Sequence, residues 1–329
     1  MARIFYDKDA DLSVIKDKTI AVVGYGNQGR SQALNMRDSG LKVIIGSVND
    51  DSWKKAEEDG FKVFPIGQAA EQADIIFLLI PDEIMVSVFE QDIAKTLKEG
   101  DVLNFASGYN IAFDLMKVPD FVDLTMVAPR MIGAGVRDCY VSGEGFPSFV
   151  GVEQDASGKA WDVALALCKA IGSTKRGSIE LTFRQEAEMD LLTEQGFGPI
   201  LHALFKNTFE FEVEAGYPPE AVLLELYMSG EVAYVMQQAA KIGMLKQSFL
   251  HSHTSQYGHL IKAGDVDHDA MKGFLRTALE DIKSGKFTKQ WQEEQANGSP
   301  VFKEMTRKAY DSPIIQAEAK LRKQLGYDD

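Results

Sequence analysis

Gly24-Tyr25-Gly26-Asn27-Gln28-Gly29 stands between a β-branched run, Thr19–Val23, and a stretch of helical composition, Arg30–Ser39. That stretch stops at Gly40, and a second apolar run, Leu41–Ile45, follows. A G-x-G-x-x-G sequence that leaves a strand and opens a helix inside a βαβ unit is built to seat a dinucleotide pyrophosphate. Gly24 permits the tight turn, Gly26 lets backbone approach the phosphates, and Gly29 lets the helix pack on the sheet with its N-terminus facing them. The alternative is a glycine-rich strand-to-helix turn without a ligand.

The pattern continues beyond this unit. A helix is expected from Ser52 to Asp59, with strands at Phe61–Val63, Ile75–Ile80, Val102–Phe105 and Leu124–Ala128. Phe146–Val152 and Ser173–Ile179 read as further strands around a helix, Ala156–Ile171. Strands alternating with helices predict a parallel, doubly wound sheet. After about Thr182 the strand signal disappears, and helices are expected over 184–215, 219–244, 254–263, 267–284 and 314–325. The reading is an α/β Rossmann domain over residues 1–181 and an all-α domain over 182–329.

The 329 residues carry a formal net charge of -14, which repels nucleic-acid phosphates and anionic membranes and argues against both as partners. Cys139 and Cys168 match no metal motif and form no disulfide framework. No apolar run has the length of a membrane span, and Met1 to Asp11 lacks the apolar stretch of a secretory leader. A cytoplasmic protein is expected.

The second strand ends in Gly46-Ser47-Val48-Asn49-Asp50-Asp51-Ser52, with two carboxylates and no arginine. Asp50 lies about 20 residues past Gly29, where an acceptor for the ribose 2′-hydroxyl belongs. A 2′-phosphate would meet like charge there, so NADH is expected in preference to NADPH. Either acid also suits the N-cap of the next helix, and one can cap while the other binds ribose. Pro81-Asp82-Glu83-Ile84-Met85 sits at the carboxyl edge of the sheet, where a dinucleotide passes, or forms an acidic helix start.

In the helical half, Glu186, Asp190 and Glu194 fall at i, i+4 and i+8, on one helix face. Such a stripe is either solvated or, with Met189, Leu191 and Leu192 around it, an oxygen-donor set suited to Mg²⁺. Glu225 lies among Leu223, Leu224 and Leu226 and is expected to be partly buried, where a metal or an ion pair would have to compensate it. In Leu250-His251-Ser252-His253, Ser252 or a histidine can bond a substrate, or the segment is a helix N-cap with surface histidines.

Taken together, Val22–Gly29, Ala33–Gly40, Ser52–Phe61, Asp155–Lys159, Met189–Gln195, Val213–Glu220 and Ser255–Gly258 resemble the short, class I ketol-acid reductoisomerases, and the resemblance runs from about residue 3 to 326. It implies a Rossmann domain joined to a knotted helical domain, and interlocked homodimers or higher homo-oligomers that share active sites. It also implies Mg²⁺-dependent alkyl migration in a 2-keto/2-hydroxy acid, 2-acetolactate. Nicotinamide-dependent reduction to 2,3-dihydroxy-3-methylbutanoate, in branched-chain amino acid biosynthesis, follows. By resemblance, Asp190 and Glu194 are metal ligands from one chain, and Glu225 and the substrate-contacting Ser252 come from its partner. Tyr25, Asn27, Gln28, Ser47, Asp82–Met85 and Gly133 contact the cofactor, and Ser107, Arg130 and Glu194 stand at catalytic positions. Three residues differ from the family pattern: Ser107 replaces a histidine, Arg130 a lysine and Ser229 a second glutamate. Arg130 keeps the charge with a fixed proton. His251 or His253 is the expected compensation. A keto acid reductase without the migration, or a dinucleotide-binding paralogue without chemistry, is the alternative.

Overall fold

The structure, a computed structural model, describes residues 2–327; Met1, Asp328 and Asp329, end positions of the two expected domains, lie outside the described residues. It divides into two compact units, Met1–Met189 and Asp190–Asp329.

The first unit is built on a nine-stranded sheet in the order β1-β9-β8-β7-β6-β5-β2-β3-β4. Its strands are β1 (Ile4–Phe5), β2 (Thr19–Val23), β3 (Lys42–Gly46), β4 (Val63–Phe64), β5 (Ile75–Leu78), β6 (Val102–Phe105), β7 (Asp123–Pro129), β8 (Ser148–Gln154) and β9 (Ser178–Glu180). The strands from β2 to β7 pair in parallel, as expected. β8 does not: it runs antiparallel to β7, with Ser148 opposite Pro129. The chain re-enters the sheet beside the end where β7 left it, which imposes that direction. β1 is also antiparallel, to β9.

The helices are α1 (Asn27–Asp38), α2 (Asp51–Glu58), α3 (Ile66–Glu71), α4 (Asp82–Val88), α5 (Tyr109–Ala112), α6 (Gly133–Val141), α7 (Ala160–Ile171) and α8 (Phe183–Leu192). Residues of α1, α6 and α7 bury against one face of the sheet. Residues of α3, α4, α5 and the first turns of α8 bury against the other. The apolar strands Thr19–Val23 and Ile75–Leu78 are buried along their whole length, as a sheet covered on both faces requires. The expected strand Ser173–Ile179 shrinks to β9. Gly172 (φ 95°) and Gly177 (φ 106°) turn the chain on either side of a 3₁₀ turn at Ser173–Lys175. There the Ser148, Ser173 and Ser178 hydroxyls hydrogen-bond one another in the core.

The second unit is helical: α9 (Gly198–Glu214), α10 (Pro219–Leu223), α11 (Glu231–Ile242), α12 (Met244–Ser248), α13 (His253–Ala263), α14 (His268–Lys283), α15 (Lys286–Ala296), α16 (Pro300–Tyr310) and α17 (Pro313–Gln324). The continuous helices expected over 184–215 and 219–244 are interrupted by π-helical turns at Thr193–Phe197 and Leu224–Met228. Gly230, at φ 83°, then separates the second of these turns from α11. α15 and α16 lie where no helix was expected. Polar Lys286–Gln295 has little apolar stripe, and α16 leaves Val301, Phe302 and Met305 exposed rather than packed inward. A small cluster of Phe209, Val222, Leu223, Ile314 and Leu321 forms the unit's core. No helix among the described residues is long and apolar enough to cross a membrane.

Candidate functional site

The strand order reverses between β5 and β2, and a crevice of about 270 Å³ opens there at the carboxyl ends of the strands. This is where doubly wound sheets bind their ligands. Gly24, Tyr25 and Gly26 line it from β2, Ser47, Asp50 and Ser52 from β3, and Pro81 and Ile84 from β5. Gly24 takes φ +93°, and a Cβ there would lie 2.5 Å from the Leu79 carbonyl oxygen. A Cβ on Gly29 would meet the Gly24 carbonyl oxygen at 2.2 Å. Gly26 differs: a Cβ there would touch nothing within 4 Å. Its bare face is open space, and no side chain caps α1 behind it. The loop and the uncapped helix N-terminus form a cradle that fits a pyrophosphate.

The side chains flanking this cradle hold it in shape. Tyr25 is 4% exposed, and its hydroxyl donates to Asp59 Oδ2 at 2.8 Å. Gln28 Nε2 donates to the Met131 carbonyl at 2.9 Å. Gly133 packs so tightly on Asn27 that a Cβ would lie 2.1 Å from its carbonyl oxygen. Tyr25, which also lines the crevice, and Gln28 and Gly133, all expected as cofactor contacts, brace the loop. Met85 is buried in the core. Asn110, given no role from sequence, donates to the Asp82 carbonyl oxygen, to Asp82 Oδ1 and to Met85 Sδ, pinning the start of α4. Ile84 is exposed and lines the crevice, while Glu83 is exposed outside its lining.

The two acids after β3 separate in role. Asp50 Oδ1 caps α2 by accepting from the Ser52 and Trp53 amides at 2.9 and 3.2 Å, and the residue lines the crevice. Asp51 is fully exposed beside Lys54, outside the crevice lining. Capping and facing the ligand thus fall to the same residue.

The acidic stripe of α8 is not a uniform face. Glu186 is fully buried, Asp190 half-buried and Glu194 exposed. Glu186 Oε2 accepts from the Gly108 amide at 2.7 Å, and Oε1 accepts from Arg130 Nη2 at 2.9 Å. The Arg130 guanidinium also lies over the Phe149 ring, 4.7 Å from its centroid. Ser107 accepts from the Tyr109 amide in the same loop. Gly108 is obligatory there, because a Cβ would lie 2.3 Å from the Phe183 carbonyl oxygen. The acidic side chain of Glu186 gave no sign in sequence that its partner is the loop after β6.

Glu186→Gln is expected to lower stability by about 1–2 kcal/mol, since it removes the buried negative charge that meets the Arg130 guanidinium and the Gly108 amide. Solvent screens part of that loss, because Arg130 is 26% exposed. Chemical denaturation checks it. Arg130→Met combined with Glu186→Gln should recover part of the loss, and purely additive losses would count against the coupling.

In the second unit, Glu194 lies in the π turn Thr193–Phe197 and Glu225 in the π turn Leu224–Met228. π turns recur at functional sites. Glu225 is exposed, not partly buried as expected: Leu223 points inward, and a side chain two positions on points elsewhere. Among the described residues no three His, Cys, Asp or Glu side chains form a metal cage within the chain. The donors are hard oxygens, and in chemistry they fit Mg²⁺. Ser252 N-caps α13, its Oγ accepting from the Ser255 amide at 3.3 Å. His251 pairs with Gln247 at 3.0 Å, and His253 is exposed. Ser229 accepts from the Glu231 amide.

A family model described as acetohydroxy acid isomeroreductase, NADPH-binding domain, matches residues 14–177, and one described as ketol-acid reductoisomerase, C-terminal domain, matches 183–326. The ketol-acid reductoisomerase (NADP(+)) of Pyrobaculum islandicum is 44% identical over 99% of this chain and 98% of its own length. That of Methanocaldococcus jannaschii is 42% identical over 100% and 99%. A solved NADH-preferring ketol-acid reductoisomerase from an uncultured archaeon is 38% identical, covers 98% of each chain and superposes with a TM-score of 0.93. With both halves matched in order and relatives aligned end to end, the chain belongs to the ketol-acid reductoisomerase family.

Proposed function

We propose that this ketol-acid reductoisomerase works with NADH and Mg²⁺ on 2-acetolactate. The observation that carries the cofactor choice is Asp50, a carboxylate at the β3 end of a crevice whose lining, among the described residues, includes no arginine or lysine. The likeness to an NADH-preferring enzyme supports it, although the Methanocaldococcus and Pyrobaculum relatives are named for NADP(+). Asp190 and Glu194 would hold the metal, with Glu225 supplied by a second copy of the chain. When bound, Mg²⁺ supplies Lewis acidity toward the substrate oxygens, and the nicotinamide supplies a hydride.

The chain's own residues do the rest. The glycine loop holds the pyrophosphate, and Asp50 accepts from the ribose. Ser252 retains a hydroxyl proton to donate to the substrate. Arg130, held against Glu186 and over Phe149, contributes a planar cation. Ser107 stands on the loop after β6, whose Gly108 amide shares Glu186 with Arg130, and Glu194 is the basic group of the set.

Turnover of both 2-acetolactate and 3-hydroxy-3-methyl-2-oxobutanoate with NADH and Mg²⁺, abolished by a chelator, is the expected result. Turnover of the second alone would show a reductase without the migration, and turnover of neither would defeat the enzymatic reading. Asp50→Ser separates charge from capping, because serine caps a helix as well as aspartate does. The NADPH-to-NADH ratio of specificity constants should rise about tenfold, equivalent to about 1.4 kcal/mol, with thermal stability nearly unchanged. An unmoved ratio would reject the assignment.

A further inference from the structure

The carboxylate that closes α2 gathers three segments of the nucleotide unit. Asp59 Oδ2 accepts from the Tyr25 hydroxyl at 2.8 Å and from Arg30 Nε at 2.6 Å, and Oδ1 accepts from Arg30 Nη2 at 3.0 Å. Its main-chain oxygen accepts from Arg37 Nη1 at 2.6 Å. Tyr25 belongs to the glycine loop, Arg30 and Arg37 to α1, and Asp59 to the end of α2. Phe61 completes the joint, with the Tyr25 ring edge-on at 5.8 Å and the Arg37 guanidinium over its face at 4.9 Å.

The electrostatics match this geometry. The Arg30 guanidinium holds the Asp59 carboxyl below the usual carboxylate range. Burial, then the Asp59 carboxylate, pushes the Tyr25 phenol upward, so it stays protonated and donating.

At its other end, α2 begins with Asp50, which lines the crevice. A helix of eight residues is a rod about 12 Å long. Whatever fixes its C-terminal end against the glycine loop therefore fixes where Asp50 stands relative to the pyrophosphate seat. We propose that Asp59, through Tyr25 and Arg30, is a positioning residue that sets the reach of Asp50 to the cofactor ribose and so shapes coenzyme selectivity. This rests on the reading that Asp50 binds the ribose.

The chemistry at Asp59 leaves little latitude. It accepts three side-chain hydrogen bonds through two oxygens. Asparagine offers one oxygen, and its amide would face the Arg30 or Tyr25 donors.

The test uses fluorescence titration of the full-length chain with NADH and NADPH. Variants are Asp59→Asn, Tyr25→Phe and Asp50→Ser, with Asp50→Ser also combined with each of the others. Tyr25→Phe keeps the ring on Phe61 and serves if Asp59→Asn folds poorly. In the Asp50-containing chain, Asp59→Asn should weaken NADH binding about tenfold and Tyr25→Phe about threefold, with NADPH binding changed less. In the Asp50→Ser background both effects should shrink to near unity. Side chains this far apart ordinarily behave additively, so that shrinkage reports the coupling. Binding effects of equal size in both backgrounds, or a lowered melting temperature with NADH binding unchanged, would overturn the proposal. If the unsubstituted chain binds NADPH as tightly as NADH, the selectivity reading fails, and persistent non-additivity toward NADH would still support positioning.

Discussion

Gly133→Ala is expected to weaken NADH binding by about two orders of magnitude while the sheet remains folded. A Cβ at this position would lie 2.1 Å from the Asn27 carbonyl oxygen and 2.4 Å from the Asn27 carbonyl carbon, both backbone atoms. One side must move, and α6 is poorly placed to do so. Asn35 donates to the Val136 carbonyl at 3.2 Å and accepts from Arg137 at 2.9 Å, locking α6 along α1. The glycine loop is the side with room, since open space lies in front of Gly26. Moving it displaces the Asn27 and Gln28 amides from the phosphate seat and breaks the Gln28–Met131 hydrogen bond. Overpacking typically costs about 1–3 kcal/mol, and the upper end corresponds to roughly a hundredfold in affinity. Gly26→Ala is the companion variant. Its methyl group meets no protein atom, so the melting temperature without cofactor should hold while binding falls, because the methyl occupies the ligand's space. Titration with NADH beside thermal melts distinguishes the two. A Gly133→Ala chain that binds NADH normally would show that the loop after β7 does not brace the seat.

How far the sequence discloses this molecule depends on the range of the forces involved. The βαβ start is legible because everything that defines it is local: a β-branched strand, three glycines at fixed spacing and a helix stop at Gly40. Asp50 is legible for the same reason, since its distance from Gly29 along the chain fixes its place at the strand end. The direction of β8 is not legible, because Ser148 opposite Pro129 depends on how the chain returns after α6. Glu186 reads as one member of a stripe, and only the fold brings the Gly108 amide, 78 positions away, to its carboxylate. Asn110 and Asp59 carry no motif; their importance lies in the donors and acceptors that tertiary packing delivers. The π turns at Thr193–Phe197 and Leu224–Met228 leave the apolar periodicity nearly intact, yet they re-aim Glu194 and Glu225.

If a second copy completes the helical unit, as proposed, the unit is expected to unfold at a temperature that rises with protein concentration, by a few degrees for each tenfold increase. Its internal cluster holds Phe209, Val222, Leu223, Ile314 and Leu321, a small core for residues 190–329. The first unit, about a third longer, carries two clusters that each run through many elements. Meanwhile Phe211, Leu250 and Tyr257 stand 71%, 69% and 68% exposed, and Met244 and Leu245 on α12 are each 62% exposed. These side chains are what the proposed second copy would cover. Glu225 and Ser252, the residues assigned to a partner's site, are also exposed in the single chain. Leu245→Glu should therefore dissociate the assembly in sedimentation and reduce turnover more than a hundredfold, since each site would lose the glutamate and serine it borrows. Asp190→Asn and Glu225→Gln should each be inactive alone. Co-folded in equal amounts, they should recover about a quarter of full activity, because half the dimers are mixed and each mixed dimer assembles one intact site. A fully active monomer, or no recovery in the mixed dimers, would place all the ligands in one chain and remove the reason for the exposed acid at position 225.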